Sequence, residues 1–515
     1  MGADQSLTRR ELVAALVGAP ALLGLTRKAP RTIVGEFVED GSGVGHALRD
    51  RQRAPTPARR ERVRVLIVGG GVAGLGAAWA LMRGGINDLK VLEAAPVAGG
   101  NARSGERDGL RFPWGAHYLP LPAVDATVLR TFCAEVGLLR DGVWDERTLA
   151  FAPQERLFQH GTWHEGVEPT FGLSRVDREE WTRFDAFMNE QRATGRYRVP
   201  SLIGDGRATR EARALDQQSM AQWMTANGYR SPSLRWMVDY GVRDDYGASL
   251  ATASAWAGIH YFAARPEHEA GPLTWPEGND WLVAQLLARI GPRVQTAAPV
   301  WRIGRAGTRW VVDTAAVRYE ADAVIAAVPM QLLARLLDGV PPPPIVHEYS
   351  PWLVANVHLD RWPAERGGAP IAWDNVIYDS ASLGYVVSTH QSVRTQIDRT
   401  VWSWYHAPVR DPAPIARRWL RDLTWTAARD LVLADLRRAH PDIDQCVTRI
   451  DLLRYGHAMP RPVPGFLAAT EHLRRWRPGA RFAVAHSDAS GLSLFEEAFE
   501  RGASAAQQIR EQLNG

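Results

Sequence analysis

Residues 64–79 read RVLIVGGGVAGLGAAW: an apolar run, a glycine loop, then a stretch of small residues. No other part of the chain restricts the fold as strongly, because each position has a physical job. Gly69 permits a tight turn after a strand, Gly71 lets backbone approach a ligand, and Gly74 lets helix pack closely on strand. Val72 and Ala73 open the helix, whose N-terminus offers unpaired N–H groups and the positive end of its dipole to phosphate. The next apolar run, VLEA, brings Glu93 and Ala94, with Glu93 24 residues after Gly69. A carboxylate there accepts hydrogen bonds from ribose hydroxyls. The pattern predicts a dinucleotide-binding βαβ unit and hence an α/β fold with a Rossmann-like domain.

A chain of 515 residues exceeds what one core serves, so two or more domains are expected. Its formal charge of +4, from 61 basic and 57 acidic residues, is too small to argue for nucleic acid. No basic stripe interleaves with aromatics, so no nucleic-acid partner is expected. Lysine occurs only at Lys28 and Lys90. Cys133 and Cys446 are too few for a disulfide framework or a metal cluster. Two buried thiols are favoured over one bridge between them, and no metal is expected. Most of the 20 tryptophans belong in cores, and some can line an aromatic pocket.

Near the N-terminus Arg9 and Arg10 precede an uncharged run, residues 12–25, that Arg27 and Lys28 close. Such a run is too short to span a bilayer and fits the core of a signal segment. Paired arginines ahead of it look like a twin-arginine export signal. The alternative is an amphipathic first helix with a chance arginine pair. Residues 1–30 are thus expected to address the chain to the twin-arginine export machinery and the periplasm, folded and with its cofactor loaded. Residues 31–61 read as a linker or an arm packed on the surface.

Beyond Glu93, the paired Gly99 and Gly100 are followed by Asn101 and Arg103, then by an aromatic loop containing Gly115, Ala116, His117 and Tyr118. Such a series suggests backbone against a flat ligand; a turn followed by core aromatics is the alternative. Residues 126–270 are mostly helical in pattern, as in 223–236. Within them Asp244 and Asp245 are adjacent, and adjacent helical side chains point in different directions. A helix cap with salt bridges is therefore favoured over acid–base chemistry. Residues 275–337 change to short strands, with alternation at 293–303 and a buried run at 321–328. Residues 345–450 mix strands (371–387 and 401–405) with a helical stretch at 412–438. A last strand, 481–485, leads through His486, Ser487 and Asp488 into a small-residue helix. A strand, turn and helix so far from the first βαβ unit imply a domain assembled from separate segments.

Together these blocks resemble the flavin-dependent amine oxidase superfamily, which includes monoamine and polyamine oxidases and phytoene-desaturase-like enzymes. The resemblance implies FAD, with Gly69, Gly71 and Gly74 at the pyrophosphate and Glu93 at the adenosine ribose. It implies that Gly99, Gly100 and the 115–118 loop run along pyrophosphate and flavin, and that the Val300 backbone holds adenine. Ser487 and Asp488 match the family turn whose carboxylate binds the ribityl chain. Leu494 and Phe495 match the start of a helix facing the flavin pyrimidine ring, where the dipole stabilises negative charge on reduction. The implied architecture is a discontinuous FAD-binding domain (62–125, 275–340 and 450–515) with a mixed helical and sheet substrate domain (126–274 and 341–449).

Several positions depart from the family. Ala95 and Asn101 stand where it has arginines, with Arg103 a replacement for the lost charge, and His486 stands for a glycine. Many amine oxidases use a lysine near flavin N5, and this chain has none after Lys90. Neither cysteine falls where monoamine oxidases attach flavin covalently, so FAD is expected to bind non-covalently. The implied reaction takes a hydride equivalent from a C–H bond of a small or medium organic molecule, an amine or an activated hydrocarbon, and passes it to flavin N5. The electron acceptor is not specified. Candidates for the pocket are His117, Tyr118, Trp402, Trp404, Tyr405 and His457, with His457 as base or substrate-positioning group and a structural histidine as its alternative. An exported flavoprotein without turnover is the second reading. A nicotinamide dehydrogenase is the third, and it needs neither the Asp488 turn nor the Val300 strand.

Overall fold

The structure, a computed structural model, describes residues 31–38, 41–50, 56–201, 209–265, 270–344, 347–392 and 398–515. The arginine pair and the uncharged run lie outside the described residues. An arm leads through α1 (Ser42–Arg49) to β1 (Arg59–Val68), α2 (Val72–Arg83) and β2 (Leu89–Leu92), the expected βαβ unit. A hairpin of β3 (Glu155–Gln159) and β4 (Thr162–Glu165) follows, then the helices α3 (Arg175–Ala193), α4 (Met220–Ala226), α5 (Pro232–Tyr246) and α6 (Ala255–Ala263). Next come α7 (Asp280–Ile290), β5 (Val294–Gln295), β6 (Val300–Ala306), β7 (Arg309–Thr314), β8 (Val317–Ala326) and α8 (Met330–Leu336). β9 (Glu348–Leu359), β10 (Asp374–Ile377), β11 (Tyr385–Val387), β12 (Thr400–His406), α9 (Ala413–Asp422), α10 (Trp425–Ala439) and β13 (Val447–Arg461) form the next block. The chain closes with β14 (Phe482–Val484) and α11 (Phe495–Asn514).

Seven strands make the first sheet, in the order β5-β2-β1-β8-β7-β6, with β14 also paired to β8. β1 lies parallel to both β2 and β8, and β14 lies parallel to the end of β8. The register is level: Val68 faces Leu92 and Ala326, and Ala326 faces Val484. The glycine loop, Glu93, residues 327–329 and the Asp488 turn therefore leave one edge, the carboxyl ends of the parallel strands, where α/β sheets bind ligands. Nine of the twelve α2 residues are buried, so this helix is enclosed on all sides, which explains its run of small residues. α11 and α7 pack against it.

The second sheet has the order β13-β9-β12-β11-β10-β3-β4 and shares no strand with the first. β13 pairs with β9 along most of its length, which places residues 450–461 in this sheet. That corrects the expectation that residues from 450 onward accompany the dinucleotide-binding sheet. Two further expectations change. Residues 155–165 are strands inside a region read as helical, and the pattern at 223–236 is two helices parted at Asn227 and Gly228. Both cysteines are buried free thiols.

Candidate active site

The loop after β1 shows why its glycines differ. Gly69 has a φ of +109°, and a Cβ there would lie 2.2 Å from the Ala327 carbonyl oxygen. A Cβ on Gly74 would lie 1.9 Å from the Gly69 carbonyl oxygen, so α2 rests directly on the loop. Gly71 is another case: a Cβ there meets nothing nearer than the Gly100 Cα at 3.9 Å. The protein has room for a side chain at 71, and that room belongs to a cavity of about 440 Å³ that Gly69, Gly71, Val72 and Ala73 line. α2 has no capping side chain, so its first N–H groups lack an intrahelical or side-chain partner beside that space.

Glu93 is held rather than free. Its Oε2 accepts from the Gly70 N–H at 2.7 Å and its Oε1 from the Ala95 N–H at 2.8 Å. Each oxygen keeps a lone pair for a hydroxyl donor, and Glu93, Ala94 and Val300 all line the cavity. Gly99 donates to the Gly70 carbonyl at 2.8 Å, which joins the second glycine pair to the first. Asn101, which stands for a family arginine, ties three segments together. Its carbonyl accepts from the Ala116 N–H at 2.9 Å, and its side chain donates to the Ala458 carbonyl of β13 at 3.0 Å. Gly100 and Asn101 line the cavity; Gly74 and Arg103 adjoin it without lining it.

The aromatic loop is fastened from the second sheet. Tyr405 donates to the Gly115 carbonyl at 3.0 Å, and Asn356, which accepts from Ser403 at 2.6 Å, donates to the Pro113 carbonyl at 3.1 Å. Asn279 and Thr274 donate to the Tyr118 and His117 carbonyls, each at 2.7 Å. His117 stacks on Tyr405 with centroids 4.9 Å apart, and burial pushes its pKa down to about 4. Trp402 and Trp404 do not reach the cavity. Successive residues of a strand face opposite ways, and Tyr405 takes the cavity side. Trp402 stacks on Tyr385 at 4.2 Å, and Trp404 donates to Asp435 of α10 at 2.8 Å.

At the β14 end Asp488 is fully buried. One of its oxygens accepts from the Met330 N–H at 2.9 Å and the Tyr349 hydroxyl at 2.6 Å. Burial alone would raise its pKa, but the His486 and His347 imidazoles and the Tyr349 hydroxyl hold it down to about 2. Its other oxygen lies 3.1 Å from His486 Nδ1 yet accepts no hydrogen bond, because that nitrogen accepts the Asp488 N–H. Ser487, Asp488, Leu494 and Phe495 line the cavity, and α11, like α2, begins without a capping side chain. His457 lies with this group. Its ring meets Tyr349 at 5.8 Å, and burial, with Arg417 and His46 nearby, lowers its pKa to about 4. The Met330, Tyr349 and His347 partners of Asp488 had no signal in the sequence, since they are joined to it only by the fold.

Near Tyr118 the cavity is acidic. Asp244 and Asp245 occupy the last turn of α5, where the helix dipole opposes negative charge, and both line the cavity. The expectation of a helix cap fails here, although its salt bridge holds: Arg265 donates to Asp245 at 2.6 Å. Burial and the neighbouring Asp245 push the Asp244 pKa up to about 7. Burial also raises Asp245, against the pull of Arg265 and of the Tyr118 hydroxyl. Asp374, through burial and its proximity to Glu155 and Asp244, stands well above the usual range. Glu155 is raised by burial and Glu168. Only the adjacent pair 244–245 hinted at this cluster; its other members come from distant strands and loops.

Gly71, the open oxygen of Asp488, and the uncapped starts of α2 and α11 suit an extended dinucleotide carrying a polyhydroxyl chain. The residues thus fit FAD. Among the described residues that line the cavity there is no cysteine to attach flavin, and no lysine. Among the described residues no group of three or more His, Cys, Asp or Glu could hold a metal ion.

Comparison with known proteins agrees. A family model described as flavin containing amine oxidoreductase matches residues 72–510. Peroxisomal N(1)-acetyl-spermine/spermidine oxidase of Bos taurus is 41% identical over 96 residues, a match spanning only 18% of each chain. Putrescine oxidase bound to putrescine superposes with a TM-score of 0.66 at 18% identity, over 88% of this chain and 100% of that one. Cyclohexylamine oxidase from Brevibacterium oxydans IH-35A gives 0.66 at 16% identity, again over 88% and 100%. At these identities the two structures establish a shared fold.

Proposed function

The chain belongs to the flavin-containing amine oxidoreductase family and is an FAD-dependent oxidoreductase; from that premise we propose that its substrate is a cationic amine, oxidised at the carbon beside nitrogen. The observation that carries this reading is the acidic end of the cavity, where Asp244 and Asp245 meet Tyr118 and the guanidinium of Arg265. Bound FAD supplies the two-electron acceptor for the hydride equivalent.

The remaining work falls to side chains. Acids pushed up by burial are short of positive charge, and an ammonium group that replaces their protons relieves that cost. Arg265 holds Asp245 in place, which leaves Asp244 to receive the cation. The stacked rings of His117 and Tyr405 form an aromatic wall that excludes water and attracts a cation to its face. An uncharged hydrocarbon offers no cation to take the place of those protons, which favours an amine over a phytoene-like substrate. His117, Tyr118 and His457 remain the proposed residues in contact with reacting groups.

The reading is tested by anaerobic addition of mono- and diamines, uncharged alkenes and fatty acids to the holoprotein. Amines should bleach the flavin absorbance and the others should not. Bleaching by an alkene or fatty acid with none by amines overturns the substrate class, and no bleaching at all favours the flavoprotein without turnover. Export through the twin-arginine machinery to the periplasm is part of the same proposal, supported by Arg9, Arg10 and the uncharged run after them. Fractionation of cells producing wild type and an Arg9→Lys, Arg10→Lys variant tests it, with retention of the variant in the cytoplasm expected.

A further inference from the structure

The arm ahead of β1 is docked on both sheets, and its contacts are too specific for a linker. Residues 34–38 run parallel to the outer edge of β13 and meet it in two isolated bridges, Val34 with Arg449 and Phe37 with Leu452. Ile450 donates to the Val34 carbonyl and Leu452 to the Glu36 carbonyl, each at 2.9 Å, and Val38 donates to the Leu452 carbonyl at 2.8 Å. Arg31 grips Asp360 with both terminal guanidinium nitrogens, at 2.9 and 2.6 Å. Phe37 lies under the Arg454 guanidinium at 3.8 Å and packs into the core beneath the second sheet. The chain then crosses to the first sheet. A Cβ on Gly41 would touch Ala95 at 3.5 Å, two residues beyond Glu93, and Arg335 of α8 donates to the Arg49 carbonyl at 3.4 Å.

Between these anchors lies α1. Val44 and Leu48, one turn apart on one face, line the same cavity as Gly71 and Glu93, beside Leu332 and Leu336 of α8. Gly43 and Gly45 make α1 a poor helix by itself. Eight residues are also too few to hold a helix without tertiary support. Its order therefore depends on what it covers. It precedes β1 and the glycine loop in the chain, so this wall is added to the dinucleotide site from outside the βαβ unit.

We propose that the arm, through its described residues 31–38 and 41–49, is a clasp on the cofactor site, with Val44 and Leu48 packed on bound FAD, so that FAD leaves only when the arm undocks. The proposal rests on the cofactor and not on the identity of the substrate. Because the ligand lies between α1 and the first sheet, docking of the arm and retention of the cofactor are coupled: each stabilises the other.

The test compares two variants of the full-length holoprotein. Val44→Ser with Leu48→Ser removes apolar contact with the cavity. Arg31→Ala with Phe37→Ala weakens the anchor on the second sheet and touches no part of the cavity. Release is followed as the rise in fluorescence of free FAD after rapid dilution. Loss of the apolar cavity contact in one variant and of the anchor that holds it in the other predicts release faster by about tenfold or more in both. Hydrogen exchange provides the second measurement: the α1 amides should gain protection when FAD is added to apoprotein. Release at the wild-type rate in either variant, or unchanged α1 protection on adding FAD, overturns the proposal.

Discussion

Asp244→Asn separates the two consequences of a buried, raised carboxyl. Its pKa of about 7 lies roughly three units above the 3.8 of an ordinary aspartate, a ceiling of about 4 kcal/mol. Because Asp244 faces a cavity and shares its titration with Asp245, about half of that is the figure to expect. The sign follows from the direction. With the folded pKa above the unfolded one, the protonated group is at ease in the fold, and stability is lost as pH rises from 3.8 through about 7. Asparagine cannot ionise, so the variant should match wild type at pH 4 and exceed it by about 2 kcal/mol at pH 8 in urea unfolding of the apoprotein. Binding should move the other way. The carboxyl is about one-tenth ionised at pH 6, half at pH 7 and nine-tenths at pH 8, while an alkylamine of pKa about 10 stays cationic throughout. Wild-type affinity for an unreactive amine, read from the flavin spectrum, should therefore rise about tenfold from pH 6 to pH 8. The variant should bind about 30- to 150-fold more weakly at pH 8 and lose most of that slope. A variant that keeps the full slope, or is less stable than wild type at pH 8, would refute the placement of a cation at Asp244.

Three further substitutions probe the rest of the cavity. Gly71→Ala adds a methyl that meets only cavity space, so it should leave apoprotein melting unchanged while lowering FAD occupancy; an equal loss of apoprotein stability would show that the glycine serves the fold. His457→Ala should abolish turnover and leave FAD bound, and since its pKa is about 4, any dependence of wild-type turnover on this group must be confined to acid pH; unchanged turnover sinks its catalytic role. Trp404→Phe loses the hydrogen bond to Asp435 and should reduce stability by about 1–3 kcal/mol with KM for an amine unaltered; a large KM change would place the indole at the substrate after all.

What could be read in the sequence was local. The glycine loop was legible because tight turns and close approaches impose requirements on single residues: Gly69 and Gly74 are needed by neighbours within a few positions or by the adjacent strand. Glu93 was legible from spacing, since β1, α2 and β2 are consecutive and their lengths place its carboxylate beside the loop. The second sheet was not. Alternation along β12 separates Trp402 and Trp404 from Tyr405 but does not say which set faces the ligand; only the pairing of Tyr405 with Val354, itself at the cavity, decides that. β9 gave no alternation at all, because all but its first residue are buried. The acids show the same limit more sharply. Asp244 and Asp245 looked like two side chains diverging from a helix, and as isolated helix positions they are. What turns them into one site is a cavity that wraps the end of α5, lined also by Tyr118 from the aromatic loop and Arg265 from beyond α6, with Asp374 and Glu155, on paired strands, near enough to interact electrostatically with Asp244. None of those groups has a reason to be acidic, basic or aromatic in its own segment, so the selection that placed them acts on the assembled cavity, and it becomes visible only there.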